Sequence, residues 1–420
     1  MKIGIQTWGS NGDVRPLLAL ASGLKQAGHE ITLLVSSLDN RSYQIECQAL
    51  GINYRQVPEY IDFDLEDFAE RALRMNSLQW LKALLEEAFF PSESEIYAAA
   101  QQLSLENDLL IGHHFLYPVK LAAKQAEKPF VSVTFCHAGI PVATEPPFGF
   151  PNLGSVINPI SWQLMETVFN WALKKPLSRL WLQAGYEMPA KLLSEHLTSQ
   201  TLNLVAVDPV FCPAYQLWPA HHQVCGFLDF TDDSDHWVLP TSLSQFLAAG
   251  APPVYMTFGS LQQAVPEWSM DLFLSAVALS GCRAIIQSSS VRYPANSQQD
   301  QVYFIGKHPH QPVFKHCAAV VHHGGAGTTH AATRSGCPSV VVPFMDEQLF
   351  WAKQLQDLQL AAKPLPAKKV NAVKLAKGIR TVLDHAKLSF NAQQVSHAMQ
   401  RQDGVKAVQL VTQQLVKAKD

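Results

Sequence analysis

The chain has 420 residues, 47% hydrophobic and only 16% charged, so it holds material for two or three domains with sizeable cores and little disordered tail. Its 32 Lys and Arg against 35 Asp and Glu leave a net charge of −3 with no basic run, which argues against nucleic acid as a partner. Seven widely spaced cysteines without a C-x-x-C pair suit a reducing cytoplasm rather than a disulfide frame or zinc ribbon.

Met1-Lys2 runs directly into Ile3-Gly4-Ile5, without the apolar region of a secretory leader, and no stretch approaches about 18 uninterrupted apolar residues. A cytoplasmic chain without a spanning helix is expected, with peripheral membrane contact left open. Residues 2–7 read as a strand, 8–13 as a Gly/Ser/Asn turn, 14–27 as a helix and 31–35 as a β-branched strand, together a βαβ unit. Residues 108–112 and 130–135 continue the alternation around a helical stretch at 116–126, which predicts a doubly wound parallel sheet. Two helical segments, about 63–102 and 159–183, fall outside it. The second carries Trp162, Met165, Phe169 and Trp181, a stripe that either packs as ordinary core or walls a cleft for a hydrophobic ligand.

Residues 226–241, containing Thr231-Asp232-Asp233-Ser234-Asp235, are the most polar stretch and read as a linker. A second strand series follows at 253–257, 283–287, 302–305, 318–322 and 339–342, and only helices follow Val370. The expected fold is therefore α/β with two Rossmann-like doubly wound domains, at 1–225 and 242–400, and a last helix at 401–420 packing back on the first domain.

Two loops carry chemistry. The run from Val320 to His330 passes from a buried-strand pattern through His323-Gly324-Gly325-Ala326-Gly327-Thr328 into a helix. Backbone N–H groups at such a helix start form an anion site, the glycines admit a diphosphate, and Thr328 and His323 add donors that stabilise a negative leaving group without metal. A dinucleotide fingerprint is the alternative, since Asp346 and Glu347 lie about 20 residues on, but His330 stands at the third glycine position; a purely structural turn is the other. The second loop, Gly9-Ser10-Asn11-Gly12-Asp13, also opens a helix. Ser10 and Gly12 there can meet an anion, whereas Asp13 puts a carboxylate in the mouth that serves either as general base or as a helix cap.

His113, His114 and His137 follow strand ends and are further candidates for the base or for an acceptor pocket that includes Phe169. Asp62-Phe63-Asp64 and Asp233-Ser234-Asp235 have the D-x-D form of metal-dependent transferases but read as solvated acidic surface, and no H-E-x-x-H or Cys/His cluster is present. No metal site is expected.

With Pro343-Phe344-Met345-Asp346-Glu347-Gln348 downstream, and with Phe258-Gly259-Ser260, Trp218-Pro219, Gly226-Phe227 and His310-Gln311-Pro312-Val313-Phe314 between, the two loops resemble the nucleotide-sugar glycosyltransferases of the GT-B fold, family 1 and its neighbour family 28. The branch that looks most similar holds sterol glucosyltransferases, glycopeptide-antibiotic glycosyltransferases and a rhamnolipid rhamnosyltransferase. The resemblance implies two facing domains and an inverting transfer from a UDP- or dTDP-linked sugar to a hydroxyl of a hydrophobic small-molecule or lipid acceptor, with no cofactor beyond the co-substrate. It implies that Ser260, His323, Gly325, Gly327 and Thr328 hold the diphosphate, with Ala326 in the same loop, that Glu347 and Gln348 bind the sugar, and that the stretch with His310 and Val313 lines the base pocket. Asn11 stands where many members have a catalytic His, which passes the base role to Asp13; Pro312 stands where several have an aromatic. Two rivals share parts of the pattern: a nucleotide-sugar epimerase, and a non-catalytic binder of a hydrophobic small molecule.

Overall fold

The computed structural model describes the chain except residues 73, 231–236, 260, 289, 291, 400–404 and 418–420. Two compact units emerge, one of Met1–Phe63, Leu81–Phe230 and Asp403–Asp420, the other of Asp64–Trp80 and Thr231–Gln402.

The first unit is built on seven strands, β1 (Lys2–Gly9), β2 (Glu30–Ser37), β3 (Asn53–Gln56), β4 (Leu109–His113), β5 (Phe130–Thr134), β6 (Leu202–Val205) and β7 (His222–Val224), in the order β3-β2-β1-β4-β5-β6-β7. All neighbours are parallel. Helices cover both faces of such a sheet, so its central strands are near-continuous apolar runs. Ile3, Ile5, Leu33, Ile111, Val131, Val133 and Leu204 point to one face and are buried with Val14, Leu17, Leu18, Ala21 and Leu24 of the helix Asn11–Gln26. Ala407 and Val411 of the last helix, Val405–Lys417, join this core. That helix crosses Asn11–Gln26 at Gly23, where an added Cβ would lie 2.7 Å from Val408, and Lys406 Nζ donates to Val224 O at 2.6 Å.

The second unit has β8 (Val254–Thr257), β9 (Ala284–Gln287), β10 (Ser297–Gln299), β11 (Val302–Ile305), β12 (Ala319–His322) and β13 (Ser339–Val341), in the order β10-β11-β9-β8-β12-β13. Only the β10–β11 pair is antiparallel among the described strands. The period of two sorts the side chains between two cores: Val254, Met256, Ile286 and Val321 on one face, Tyr255, Ile285, Tyr303 and Val320 on the other.

Several expectations need correction. The 8–13 turn is almost absent: β1 runs to Gly9 and the helix begins at Asn11, with Ser10 alone between them as N-cap. The 63–102 segment is a broken series, with helices Leu65–Ala72, Ser77–Leu84 and Glu93–Glu106 interrupted by a π-helical turn at Leu85–Phe89. Residues Asp64–Trp80 group with the second unit rather than with 1–225, because the helix Leu65–Ala72 packs on the short helix Leu261–Ala264 and Lys368 Nζ donates to Met75 O at 2.9 Å. The first core also extends past residue 225, through Leu228 and Phe230. The polar Asp233-Ser234-Asp235 run lies outside the described residues.

Four strands were not anticipated. β3 (Asn-Tyr-Arg-Gln), β7 and β10 are short edge strands with little apolar signal. β6 is buried but interrupted by Asn203, whose Oδ1 accepts from Ser132 Oγ (2.7 Å) and Thr134 Oγ1 (2.9 Å) and whose Nδ2 meets His222 Nδ1 at 3.1 Å.

Candidate active site

Ligands of doubly wound sheets gather at the C-terminal ends of the strands, where the strand order reverses. In the first unit that point lies between β1 and β4, and Asp13 and His113 stand there. Gly9 has φ +135°, and a Cβ on it would overlap the Asp13 carboxyl, so glycine is what allows the chain to turn from strand to helix around that group. Asp13 Oδ2 accepts from Ser10 N (2.8 Å) and Ser10 Oγ (3.2 Å), while Ser10 Oγ accepts from Gly12 N at 3.3 Å, a reciprocal capping box. The cap role weighed from the sequence is thus real, but it occupies one carboxyl oxygen.

The other, Oδ1, faces His113 Nε2 at 3.6 Å. His113 Nδ1 accepts the Phe115 N–H at 3.3 Å, which leaves the ring proton on Nε2, directed at Asp13. Burial holds His113 well below its ordinary pKa, so this is an N–H dipole beside a carboxyl rather than an ion pair. Burial pushes the Asp13 carboxyl up to about 6; the Ser10 donors pull the other way and Asp39 adds a like charge. A carboxyl poised there accepts a proton near neutral pH.

Asn11 is no base. Its Oδ1 accepts from Tyr43 OH (2.9 Å) and Arg41 Nη1 (3.3 Å), and Arg41 pairs with Glu46 at 2.8 Å. The His114 ring is tilted against both His113 and Phe115, and burial lowers its pKa to about 4. His137 lies apart from these, fully enclosed, with Nε2 3.7 Å from Glu145 Oε2 and its pKa lowered by burial to about 3. Phe115 was missed from the sequence. It rims a small apolar cavity of about 20 Å³ with Leu85, Tyr117, Phe169, Leu173 and Leu192, next to the π turns Leu85–Phe89 and Leu192–His196. Phe169, half-buried, therefore lines an apolar void that holds about one water molecule.

In the second unit the order reverses between β8 and β12, and the glycine loop follows β12 there. The helix Ala326–Arg334 starts after N-cap Gly325, with Gly327 and Thr328 in its first turn, so its free N–H groups open beside His323. Two close approaches explain the glycines. Gly324 has φ +92° and a Cβ there would lie 2.7 Å from Gln348 O; a Cβ on Gly325 would overlap His323 Nε2. His323 Nδ1 is buried without a hydrogen-bond partner among the described residues, and burial lowers the ring to about pKa 4, so it is neutral. Ser260 lies outside the described residues; its chain neighbour Gly259 approaches His323, with a Cβ 3.0 Å from Cε1.

Glu347 and Gln348 sit in the first turn of the helix Asp346–Asp357, Glu347 exposed and Gln348 buried. Gln348 Oε1 accepts Phe344 N at 2.8 Å, which leaves the amide nitrogen to donate elsewhere. Two base-pocket assignments change. The Val313 side chain is wholly buried among Leu243, Phe246 and Tyr255, so only its backbone can face a ligand. His310 lies flat on Phe314, centroids 4.9 Å apart.

Asp64 and His330, residues on which the metal and dinucleotide alternatives bore, both make contacts within the fold. Asp64 Oδ1 accepts Asp67 N at 3.0 Å at the start of its helix, and His330, at the third glycine position, packs on Trp351 with Nδ1 2.7 Å from Ala326 O. Among the described residues no group of three or more His, Cys, Asp or Glu is placed to hold a metal ion.

Comparison with known proteins agrees with this layout. Residues 282–414 match the family described as Erythromycin biosynthesis protein CIII-like, C-terminal domain. A sterol 3-beta-glucosyltransferase of Arabidopsis thaliana is 26% identical over 96% of the chain, which spans 64% of that protein's length. The O-mycaminosyltylonolide 6-deoxyallosyltransferase of Streptomyces fradiae is 26% identical over 96% of this chain and 95% of its own. Among solved structures, the glycosyltransferase VinC in complex with dTDP superposes with a TM-score of 0.66 at 19% identity, over 99% of this chain and 100% of its own. With two parallel-sheet α/β units, a glycine loop at a helix start and relatives along nearly its whole length, the chain has the GT-B fold and is similar to the glycosyltransferases of family 1.

Proposed function

We propose that the protein transfers a sugar from a UDP- or dTDP-linked donor to a hydroxyl of a hydrophobic small-molecule or lipid acceptor, with inversion and with Asp13 as general base. The observation that carries this is the divided carboxyl of Asp13: Oδ2 is fixed by Ser10, and Oδ1 stands beside the His113 N–H with its pKa raised to about 6. The acceptor hydroxyl gives its proton to Oδ1 as its oxygen attacks the anomeric carbon, and the bond from that carbon to the diphosphate oxygen breaks in the same step. The departing diphosphate, with its negative charge, is stabilised by N–H groups of the helix Ala326–Arg334, by His323 and by Thr328. One in-line displacement turns an α-linked donor into a β-glycoside.

Gln348 Nε2 and Glu347 are assigned to the sugar hydroxyls, and the stretch around His308 and His310 to the base. Relatives named for sterols and for O-mycaminosyltylonolide, and the dTDP complex of a structural neighbour, support a nucleotide donor and an apolar acceptor. On the first unit, Phe115 and His114 rim the acceptor side. The displacement balances without a bound cofactor or metal. A cytoplasmic setting fits seven unpaired cysteines and, among the described residues, no helix long and apolar enough to cross a membrane.

A panel of UDP- and dTDP-sugars with sterol, phenol and macrolide acceptors tests the reading. Glycoside formation supports it, and slow release of nucleoside diphosphate without acceptor agrees with it. Isomerised donor points to an epimerase, and donor left intact under all conditions to a carrier.

A further inference from the structure

The helix Asn158–Gln183 is apolar on two opposite faces. Its inner face carries Trp162, Leu173, Leu177 and Leu180, buried, with Phe169 against the small cavity. Its outer face carries Ile160, Leu164, Val168 and Trp171, all exposed, with Ile160 at 62% and Trp171 at 82%. At about 100° per residue these four fall within an arc of about 80°, and Leu182, also exposed, returns to that arc about three turns after Trp171. Leu153, Val156 and Ile157, exposed just ahead of the helix, extend the stripe.

The charged residues that this helix exposes are all cationic. Lys174, Lys175 and Arg179 are exposed on the same side of the helix, beyond Trp171. The one acidic residue of the helix, Glu166, is turned inward, where its carboxylate accepts Leu193 N (2.8 Å), Ser194 N (3.3 Å) and Ser194 Oγ (3.1 Å). This local excess of cations stands on a chain whose net charge is −3. An apolar stripe with a tryptophan, on a helix that exposes Lys and Arg but no acidic residue, is complementary to a surface that is apolar within and anionic at its headgroups.

We propose that the outer face of Asn158–Gln183, with the segment 153–157, docks in the plane of an anionic lipid bilayer, inserting Ile160, Leu164, Val168 and Trp171 among the acyl chains and setting Lys174, Lys175 and Arg179 against lipid phosphates. No step of sugar transfer enters this inference. Docked so, the helix separates the lipid from the apolar side chains of Phe169, Leu173 and Leu177 on its other face.

The test is flotation of the full chain, without donor or acceptor, with vesicles of phosphatidylcholine alone or with about 30 mol% phosphatidylserine, at about 0.1 M salt. Binding to the anionic vesicles is expected, with little to the neutral ones. Leu164→Ser with Trp171→Ser, and separately Lys174→Glu with Lys175→Glu, are each expected to lower partitioning at least about tenfold with unchanged circular dichroism and melting temperature, because these side chains are exposed. Absence of wild-type binding overturns the proposal, as does equal binding by both folded variants. A dimer in sedimentation equilibrium that the same substitutions dissolve, without vesicle binding, overturns it in favour of a second copy of the chain.

Discussion

Replacing Asp13 with Asn separates its two roles. The substitution keeps shape and retains one oxygen to accept the Ser10 N–H now bonded at 2.8 Å, so the capping box survives in part. What it removes is the ability to take a proton. General-base catalysis contributes about 10²–10⁴ in rate, or about 2.7–5.5 kcal/mol of barrier, and kcat is expected to fall by that factor while nucleoside diphosphate affinity stays within a few-fold. Stability moves the other way. Raising a carboxyl from 3.8 to about 6 corresponds to ~3 kcal/mol against the ionised native form, and solvent around a side chain 36% exposed screens this to ~1 kcal/mol. Between about pH 4 and 6 the native state holds a proton that the unfolded chain has released, so native stability falls as pH rises through that window. At pH 7 Asp13→Asn is therefore expected to be as stable as the wild type or up to ~1 kcal/mol more so, and to lack the pH dependence. In the wild type, kcat/KM should rise with pH to a plateau above about 6, since the base acts when ionised. Steady-state release of nucleoside diphosphate, read beside urea unfolding at pH 5 and 7, decides the matter. Near-normal turnover in a folded Asp13→Asn, or a loss of activity that merely tracks unfolding, refutes the assignment.

Transfer is expected to persist in excess EDTA, because the groups proposed to stabilise the leaving group are helix N–H donors and His323; loss of activity that Mn²⁺ restores would revive a metal role for the acidic pairs. Gln348→Glu keeps an acceptor for the Phe344 N–H but replaces the amide donor, so calorimetry should show sugar-dependent affinity weakened by about 1.5–3 kcal/mol with free diphosphate binding little changed. Equal losses for both ligands would contradict that division. Gly325→Ala drives a methyl into His323 and is expected to weaken diphosphate binding about tenfold or more; unchanged affinity means His323 does not contact it. Phe169→Asp buries a charge beside the small apolar cavity and should lower stability by about 2–4 kcal/mol in urea titration, whereas unaltered stability and acceptor KM together would remove Phe169 from both core and pocket.

Most of both sheets was legible in the chain itself, because strands buried on two faces are near-continuous apolar runs, as in β4 and β12 up to their terminal histidines. The two loops were legible for a related reason. Glycines at 9, 324 and 325 sit where the Asp13 carboxyl, the Gln348 backbone and the His323 ring leave no room for a Cβ, a local constraint that marks the sequence. Tertiary structure decided the rest. Whether Asp13 caps or catalyses depends on which oxygen Ser10 takes and on a histidine 100 positions away that β4 brings to 3.6 Å. The three candidate histidines look alike in sequence, but only strand order sets His113 at the switch point and encloses His137 against Glu145. The apolar stripe at 159–183 hid two opposite faces, since periodicity counts apolar residues without saying which side finds a partner. Side-chain type and spacing are local properties that a sequence displays directly; burial, pKa and pairing across long loops exist only once distant segments meet.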